Sequence, residues 1–337
     1  ECSYDEAIVL VAKKAESIAT KYGKDSVAVS ISDRFTNEEA SVIKKLADAM
    51  GAKTLCFNHV ESGLKKVLGV DKSPNTMDEL LSTNVILVFG YIMEKNPVVQ
   101  LKLKQAAENG AKVYVINPVG VEVVNFDFAE KVIYTGNNLD ALKEIAKYLV
   151  DEKDNLSLTN LLELKKSLEN VFVSDEIKEV ASAYNNAKKA MIVFQENVLS
   201  VDAATMIGNI ALVSNHIGAP RNGIVQIKGK NNSQGLVDMG IDKGIEEMAN
   251  VKALLCFGED PCVLGDDILD NLEFVMTVDT HMTDTCKNSN VVLPGSGPMS
   301  VEGTYTNTDG RVQFVNKVID ENIEFNNEEL ARKIASV

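Results

Sequence analysis

The chain has 337 residues, with 49 Asp and Glu against 34 Lys and Arg, a formal net charge of -15 and 45% hydrophobic residues. That length allows about two domains with their own cores, and the composition excludes a disordered chain. The acidic balance excludes a nonspecific nucleic-acid binder, because a phosphate backbone selects a basic footprint. The longest apolar runs fall far short of the ~18 residues of a membrane span, and no signal-peptide pattern opens the sequence. A soluble, cytoplasmic protein with no transmembrane segment of its own is expected, at most peripheral to a membrane complex.

In chain order, Ala7, Val11, Ala15 and Ile18 recur at helical spacing after Ser3, a natural N-cap, and Gly23 ends that helix. SVAVSIS at 26–32 alternates and is rich in Val and Ile, which reads as a strand. Residues 36–50 form the next helix, with Glu38 and Glu39 in the first turn where carboxylates suit the helix dipole, and 53–57 is a short strand. Helix, strand, helix, strand predicts a parallel sheet with crossover helices. From Met77 the pattern restarts with a short helix, the strand NVILVFG, a helix over 97–109, the strands KVYVINP and KVIYTG, and a helix over 138–149. A polar linker at 151–157 precedes a helix (174–186), a strand (189–194) and a helix (202–215). The last part shows strands at 253–258, 274–279 and 290–294, with a helix over 265–272. The fold class expected is α/β, with two doubly wound, mainly parallel sheets and flanking helices.

Residues 221–240, RNGIVQIKGKNNSQGLVDMG, hold four glycines, the pair Asn231 and Asn232, Gln234, and the cations Arg221, Lys228 and Lys230. This reads as loop chemistry: glycines allow close backbone approach, and the amides both donate and accept. An anionic ligand rich in hydrogen-bonding groups is the partner it suggests, with a long surface turn as the plainer reading. The cysteines at 2, 56, 256, 262 and 286 form no Cys-x-x-Cys pair, and His59, His216 and His281 have no metal-ligand spacing.

Two segments are alike. In 85–118 and in 251–280, a strand ends in Phe-Gly (Gly90, Gly258), a polar residue precedes a Pro, and the next strand ends in an amide or acid (Asn117, Asp279). Ligands of open α/β sheets bind at such carboxyl ends, so two nucleotide-like sites are suggested. Neither G-x-G-x-x-G nor a P-loop motif occurs, which argues against a nicotinamide or P-loop site.

GKNNSQGLVDMG, FGEDP, VDTHMTDTCKNSNVVLP and VEGTYTNTDGRVQ resemble, in order and spacing, the molybdopterin oxidoreductase family, in particular the large subunits of formate dehydrogenase and of NADH:quinone oxidoreductase. The opening YDEAIVLVAKKAESIATKYGKDSVAV and TNEEASVIKKLADAMG fit the same family. The resemblance implies a discontinuous α/β domain, 1–57 plus 229–337, with an inserted α/β domain, 58–228. It implies two molybdopterin guanine dinucleotides around one molybdenum or tungsten. Carried over by position, Gly90, Tyr91 and Asn117 would line one dinucleotide, and Gly258, Glu259, Asp260, Pro261, Asp279, Thr283 and Thr285 the other. Gly229, Asn231, Asn232, Gln234, Gly235, Asp238 and Gly240 would lie near the pterins, and Glu302, Gly303, Thr304, Thr306 and Asn307 below the metal.

Departures from the family bear on activity. The expected Cys-His metal-ligand pair is replaced by LCFNHVESG, leaving Cys56 as the candidate metal ligand and His59 as a substitute. Lys228 stands where formate enzymes place an arginine; lysine is a point charge without the planar carboxylate fork. INPVGVE replaces an Asp-Pro-Arg pattern. The iron–sulfur segment and the capping barrel of the family are also absent, so iron–sulfur clusters are expected on missing parts or on partner subunits, beside flavin- or NAD-binding subunits of one complex. The function expected is a molybdopterin-type domain of an electron-transfer oxidoreductase, with a degenerate metal site serving as scaffold. The alternative is an active molybdenum or tungsten bis-pterin enzyme such as a formate dehydrogenase, with Lys228 as substrate cation.

Overall fold

The computed structural model describes residues 1–90, 96–121, 126–153, 160–265 and 267–337, in two compact units: Glu1–Val60 with Lys230–Val337, and Glu61–Gly229.

Unit 1 opens with α1 (Tyr4–Tyr22), β1 (Val27–Ile31), α2 (Asn37–Met50) and β2 (Lys53–Leu55). Helix α2 starts where it does because Thr36 and Glu39 form a reciprocal capping box, and it stops at Gly51, whose φ of 65° suits a residue without Cβ. Unit 2 contains α3 (Gly63–Leu68), β3 (Val85–Phe89), α4 (Pro97–Glu108), β4 (Lys112–Pro118), β5 (Lys131–Thr135), α5 (Asn138–Asp151), α6 (Leu161–Ser167), α7 (Asp175–Asn186), β6 (Ala190–Gln195), α8 (Val201–Ser214) and β7 (Gly223–Ile227). Unit 1 then resumes with α9 (Ser233–Asp238), β8 (Ala253–Phe257), β9 (Phe274–Asp279), α10 (Asp284–Lys287), β10 (Val291–Pro294), the hairpin β11 (Gly303–Thr306) and β12 (Val312–Val315), and α11 (Asn327–Ala335).

Each unit is built on one five-stranded parallel sheet, β10-β9-β8-β1-β2 in unit 1 and β5-β4-β3-β6-β7 in unit 2. Strands β1, β3, β6, β7 and β8 are buried along their whole length. Helices cover both faces of such sheets, which is why their strands read as near-continuous apolar runs. In unit 1 the strand order reverses between β1 and β8, in unit 2 between β3 and β6. These reversals open crevices at the carboxyl ends of the strands.

Two sequence expectations change. The stretch 221–240 is not one loop: Ile224, Val225 and Ile227 drive β7, and residues 233–238 form α9. The outer edge of β7 is covered by the segment before β3, with Asn75 Oδ1 accepting from Ile224 N (3.2 Å) and Ser73 Oγ from Gln226 N (3.2 Å), which blunts an exposed strand edge. The helix expected over 265–272 does not form among the described residues. A 3-10 turn, Pro261–Leu264, and successive turns stand there, with Ile268, Leu269 and Leu272 packed on a small cluster around Leu254. Most of the linker expected at 151–157 lies outside the described residues. No described helix is long and apolar enough to cross a membrane.

Candidate functional site

A cavity of about 670 Å³ lies in unit 1 at its switch point, walled by the residues that follow β1, β8, β9 and β10. Ser32 and Arg34 leave β1, Gly258 to Asp260 leave β8, Asp279 to His281 leave β9, and Gly295 to Pro298 leave β10. Gly258 has φ +70°, and a Cβ there would strike the Phe35 ring, so glycine is required twice over. Arg34 and Lys230 line the same cavity as Asp279. Cations for phosphates and a carboxylate that can accept from a nucleobase therefore share one pocket.

The turn after β8 is held by its own side chains. Glu259 is 4% exposed, and its Oε1 accepts from Phe57 N (2.9 Å) and from the Cys56 thiol (3.4 Å). Burial, reinforced by the neighbouring Asp33 carboxyl, pushes the Glu259 carboxyl up to about 8. Burial, with the Glu259 and Asp33 carboxylates, also pushes the Cys56 thiol well above its usual range. A thiol kept protonated and donating to a carboxyl is poorly suited to ligate a metal. Asp260 Oδ1 accepts from Thr285 N (3.0 Å) and Thr285 Oγ1 (2.6 Å), and Pro261 begins the following 3-10 turn. Thr283 caps α10 by accepting from Cys286 N. His59 lies in the turn after β2, its N–H closing on Cys56 O (3.0 Å).

The Asn-Asn-Ser-Gln segment is stitched into unit 1. Asn232 is fully buried, donating from Nδ2 to Phe35 O (2.9 Å) and accepting at Oδ1 from Thr306 N (2.8 Å). Asn37 Nδ2 donates to the Thr304 and Thr306 hydroxyls (3.0 and 3.1 Å), and Gln234 donates to Asp238 (2.9 Å). Asn231 and Gly240 are exposed, as is Asp238. A Cβ at Gly235 would collide with Asn232 Oδ1 and Asn37 Oδ1, and one at Gly303 would crowd Glu38 and Thr36. Gly235→Ala is therefore expected to destabilise the protein by about 1–3 kcal/mol, read as a lower urea midpoint; an unchanged midpoint would contradict this packing. Glu302 precedes β11, and Asn307 closes the hairpin, its Oδ1 accepting from Arg311 N (2.9 Å).

In unit 2, Gly90 (φ +82°) ends β3, and the side-chain amide of Asn117, at the end of β4, is fully buried with neither polar atom partnered. An unpartnered buried amide costs about 1–3 kcal/mol, which marks this carboxyl edge as a place for a hydrogen-bonding ligand. Tyr91 lies outside the described residues. Lys228 is buried after β7 beside Gly229, its Nζ 2.6 Å from Asp71 Oδ1 and 2.7 Å from Glu196 Oε2. Gln226 Nε2 donates to the same two carboxylates. Burial pushes the Glu196 carboxyl up against the pull of Lys228.

Sequence reading missed Arg34, Phe35, Ser296, Tyr305 and Asn327 on the cavity wall. The N-terminal capping pattern of α2 could have pointed to Arg34, since a helix start after a strand is where anions bind. Among the described residues no three His, Cys, Asp or Glu side chains come together as a metal site.

A model of the family described as "Molybdopterin oxidoreductase" matches residues 1–327. The chain is 27% identical to the F420-dependent formate dehydrogenase 2 subunit alpha of Methanococcus maripaludis, an alignment covering 95% of this chain and 57% of that one. It is 25% identical to formate dehydrogenase H of Escherichia coli, covering 94% and 55%. The chain thus spans little more than half the length of these relatives. Its fold matches acetylene hydratase from Pelobacter acetylenicus with a TM-score of 0.71 at 16% identity, over 100% of this chain and 58% of that one. It also matches a chain of the formyltransferase/hydrolase complex from Methylorubrum extorquens with a TM-score of 0.65 at 12% identity, over 100% of this chain and 96% of that one.

Proposed function

This chain belongs to the molybdopterin oxidoreductase family, and from that premise we propose that it is the pterin-type domain of the large subunit of an electron-transfer oxidoreductase, with its nucleotide end retained and its metal and substrate end degenerate. The dinucleotide part of the cofactor fits the residues present. In unit 1, Arg34 and Lys230 suit phosphates and Asp279 suits a base; in unit 2, the unpartnered Asn117 amide suits another ligand edge. When bound, such a cofactor supplies the molybdenum or tungsten and its dithiolene sulfurs for two-electron chemistry. This chain's own residues fit that end poorly, because the Cys56 thiol donates to Glu259.

The observation that carries the reading is Lys228. Its ammonium, the only cation that sequence reading offered for a carboxylate substrate, is engaged by Asp71 and Glu196 inside unit 2. A small anion would have to displace two buried carboxylates, at a cost of several kcal/mol. The domain then serves as a scaffold beside iron–sulfur and flavin- or NAD-binding partners of the same complex. The test is formate-dependent dye reduction, with metal analysis, on full-length protein made anaerobically with molybdate and tungstate. No formate-dependent reduction is expected, in a host that loads a control enzyme. One metal per chain together with formate-dependent turnover would overturn the degenerate reading and favour the active-enzyme alternative.

A further inference from the structure

We propose that Thr285 is a positioning residue that braces the turn after β8 through Asp260, so that a nucleotide in the unit 1 cavity meets that turn and not the Thr285 side chain. The proposal rests on reading the cavity as a nucleotide site. Family position alone would make Thr285 a ligand contact. Its hydrogen bonds point elsewhere.

On one side the turn is tied to the exit of β2, through Phe57 N and the Cys56 thiol to Glu259 Oε1 (2.9 and 3.4 Å). On the other it is tied to α10, where the Thr285 hydroxyl donates to Asp260 Oδ1 (2.6 Å) and accepts from Cys262 N (3.1 Å). Thr285 N donates to the same Asp260 oxygen (3.0 Å). The base of the turn is fixed by Gly258 N to Val278 O (2.8 Å) and by the Cys256 thiol to Glu259 O (3.3 Å). Thr285 is fully buried and does not line the cavity, whereas Gly258, Glu259 and Asp260 of the turn do. Its hydroxyl both donates and accepts within the protein, so it reaches a ligand only through the turn. A braced backbone is already in the bound conformation, and pre-organisation of this kind raises affinity by removing an ordering cost.

The test compares Thr285→Val, which keeps the shape and loses the hydroxyl, with Thr285→Ser, which keeps the hydroxyl. Calorimetric binding of GDP, 2′-deoxy-GDP and IDP to the whole chain is measured for both and for the wild type. Thr285→Val is expected to weaken all three by the same factor, about tenfold, as for the loss of roughly one to two hydrogen bonds' worth of ordering. Thr285→Ser should stay within about twofold. A loss confined to one analogue would show direct contact and overturn the proposal, as would wild-type affinity in Thr285→Val or equal losses in both variants. If the wild type binds no GDP, the nucleotide reading of the cavity fails. Amide exchange then decides the brace by itself: Thr285→Val must speed exchange at Cys262 N and leave the β8 and β9 amides protected, and unchanged exchange at Cys262 overturns it.

Discussion

Glu259→Gln is expected to flatten the fall in stability that the wild type shows as pH rises from 5 to 8. The Glu259 carboxyl is raised from 4.5 to about 8 in the folded protein, first by burial and then by Asp33. Between those values the folded state holds a proton that the unfolded state has released, so unfolding becomes easier with each step in pH. The contribution is fully present below about 4.5 and is lost as pH rises to about 8. At 1.36 kcal/mol per unit, three pH units amount to at most about 4 kcal/mol. Gln keeps an oxygen for Phe57 N and the Cys56 thiol but cannot ionise. Urea unfolding at pH 5, 6, 7 and 8 should show a slope in the wild type that exceeds the variant's by a few kcal/mol in total. Parallel slopes would mean that Glu259 is already ionised in the folded protein. The outcome also bears on the site, because a neutral Glu259 leaves the cavity less negative and so more welcoming to phosphates.

Lys228→Met should destabilise the protein by about 3–5 kcal/mol, the usual cost of leaving buried charges unpaired. The side chains of Lys228, Asp71 and Glu196 are 2%, 3% and 9% exposed, so water cannot take over from the ammonium. Adding Asp71→Asn and Glu196→Gln to Lys228→Met should recover most of the loss, since amides need no counter-charge; coupled groups of this kind are not additive. A single variant as stable as the wild type, or a triple variant no better than the single, would contradict the closed cluster and reopen Lys228 as a substrate cation.

The parallel sheets were legible because their strands lie buried on both faces and therefore spell runs such as VILVF and ALLCF. The starts of α1 and α2 were legible because a capping residue and a carboxylate three positions on act locally. Strand β7 was hidden by Gly223 and Gln226 among flanking polar residues, although its apolar members are β-branched. The helix expected over 265–272 was a false positive: Ile268, Leu269 and Leu272 have helical spacing, but they pack as turns against the cluster around Leu254. The hairpin β11–β12 gave no periodic signal strong enough to be read, whereas helix α11 was overlooked although Asn326 and Glu329 form a capping box and Leu330, Ala331 and Ile334 recur at helical spacing. At the site, the carboxyl-end motifs placed Gly258, Asp260 and Asp279 together. What no local pattern could give was pairing at a distance. Lys228 meets Asp71 across 157 positions, and Cys56 meets Glu259 across 203. Those two pairings give Lys228 and Cys56 hydrogen-bond partners within the protein that no sequence spacing announces.

The nucleotide cavity in unit 1 is tested most directly by a crystal structure of the protein grown with saturating GDP. The nucleotide is predicted at the carboxyl ends of β1, β8 and β9, in the cavity shared by Arg34, Gly258 and Asp279. GDP bound elsewhere, or an empty cavity at a concentration that saturates a control nucleotide-binding protein, would contradict it.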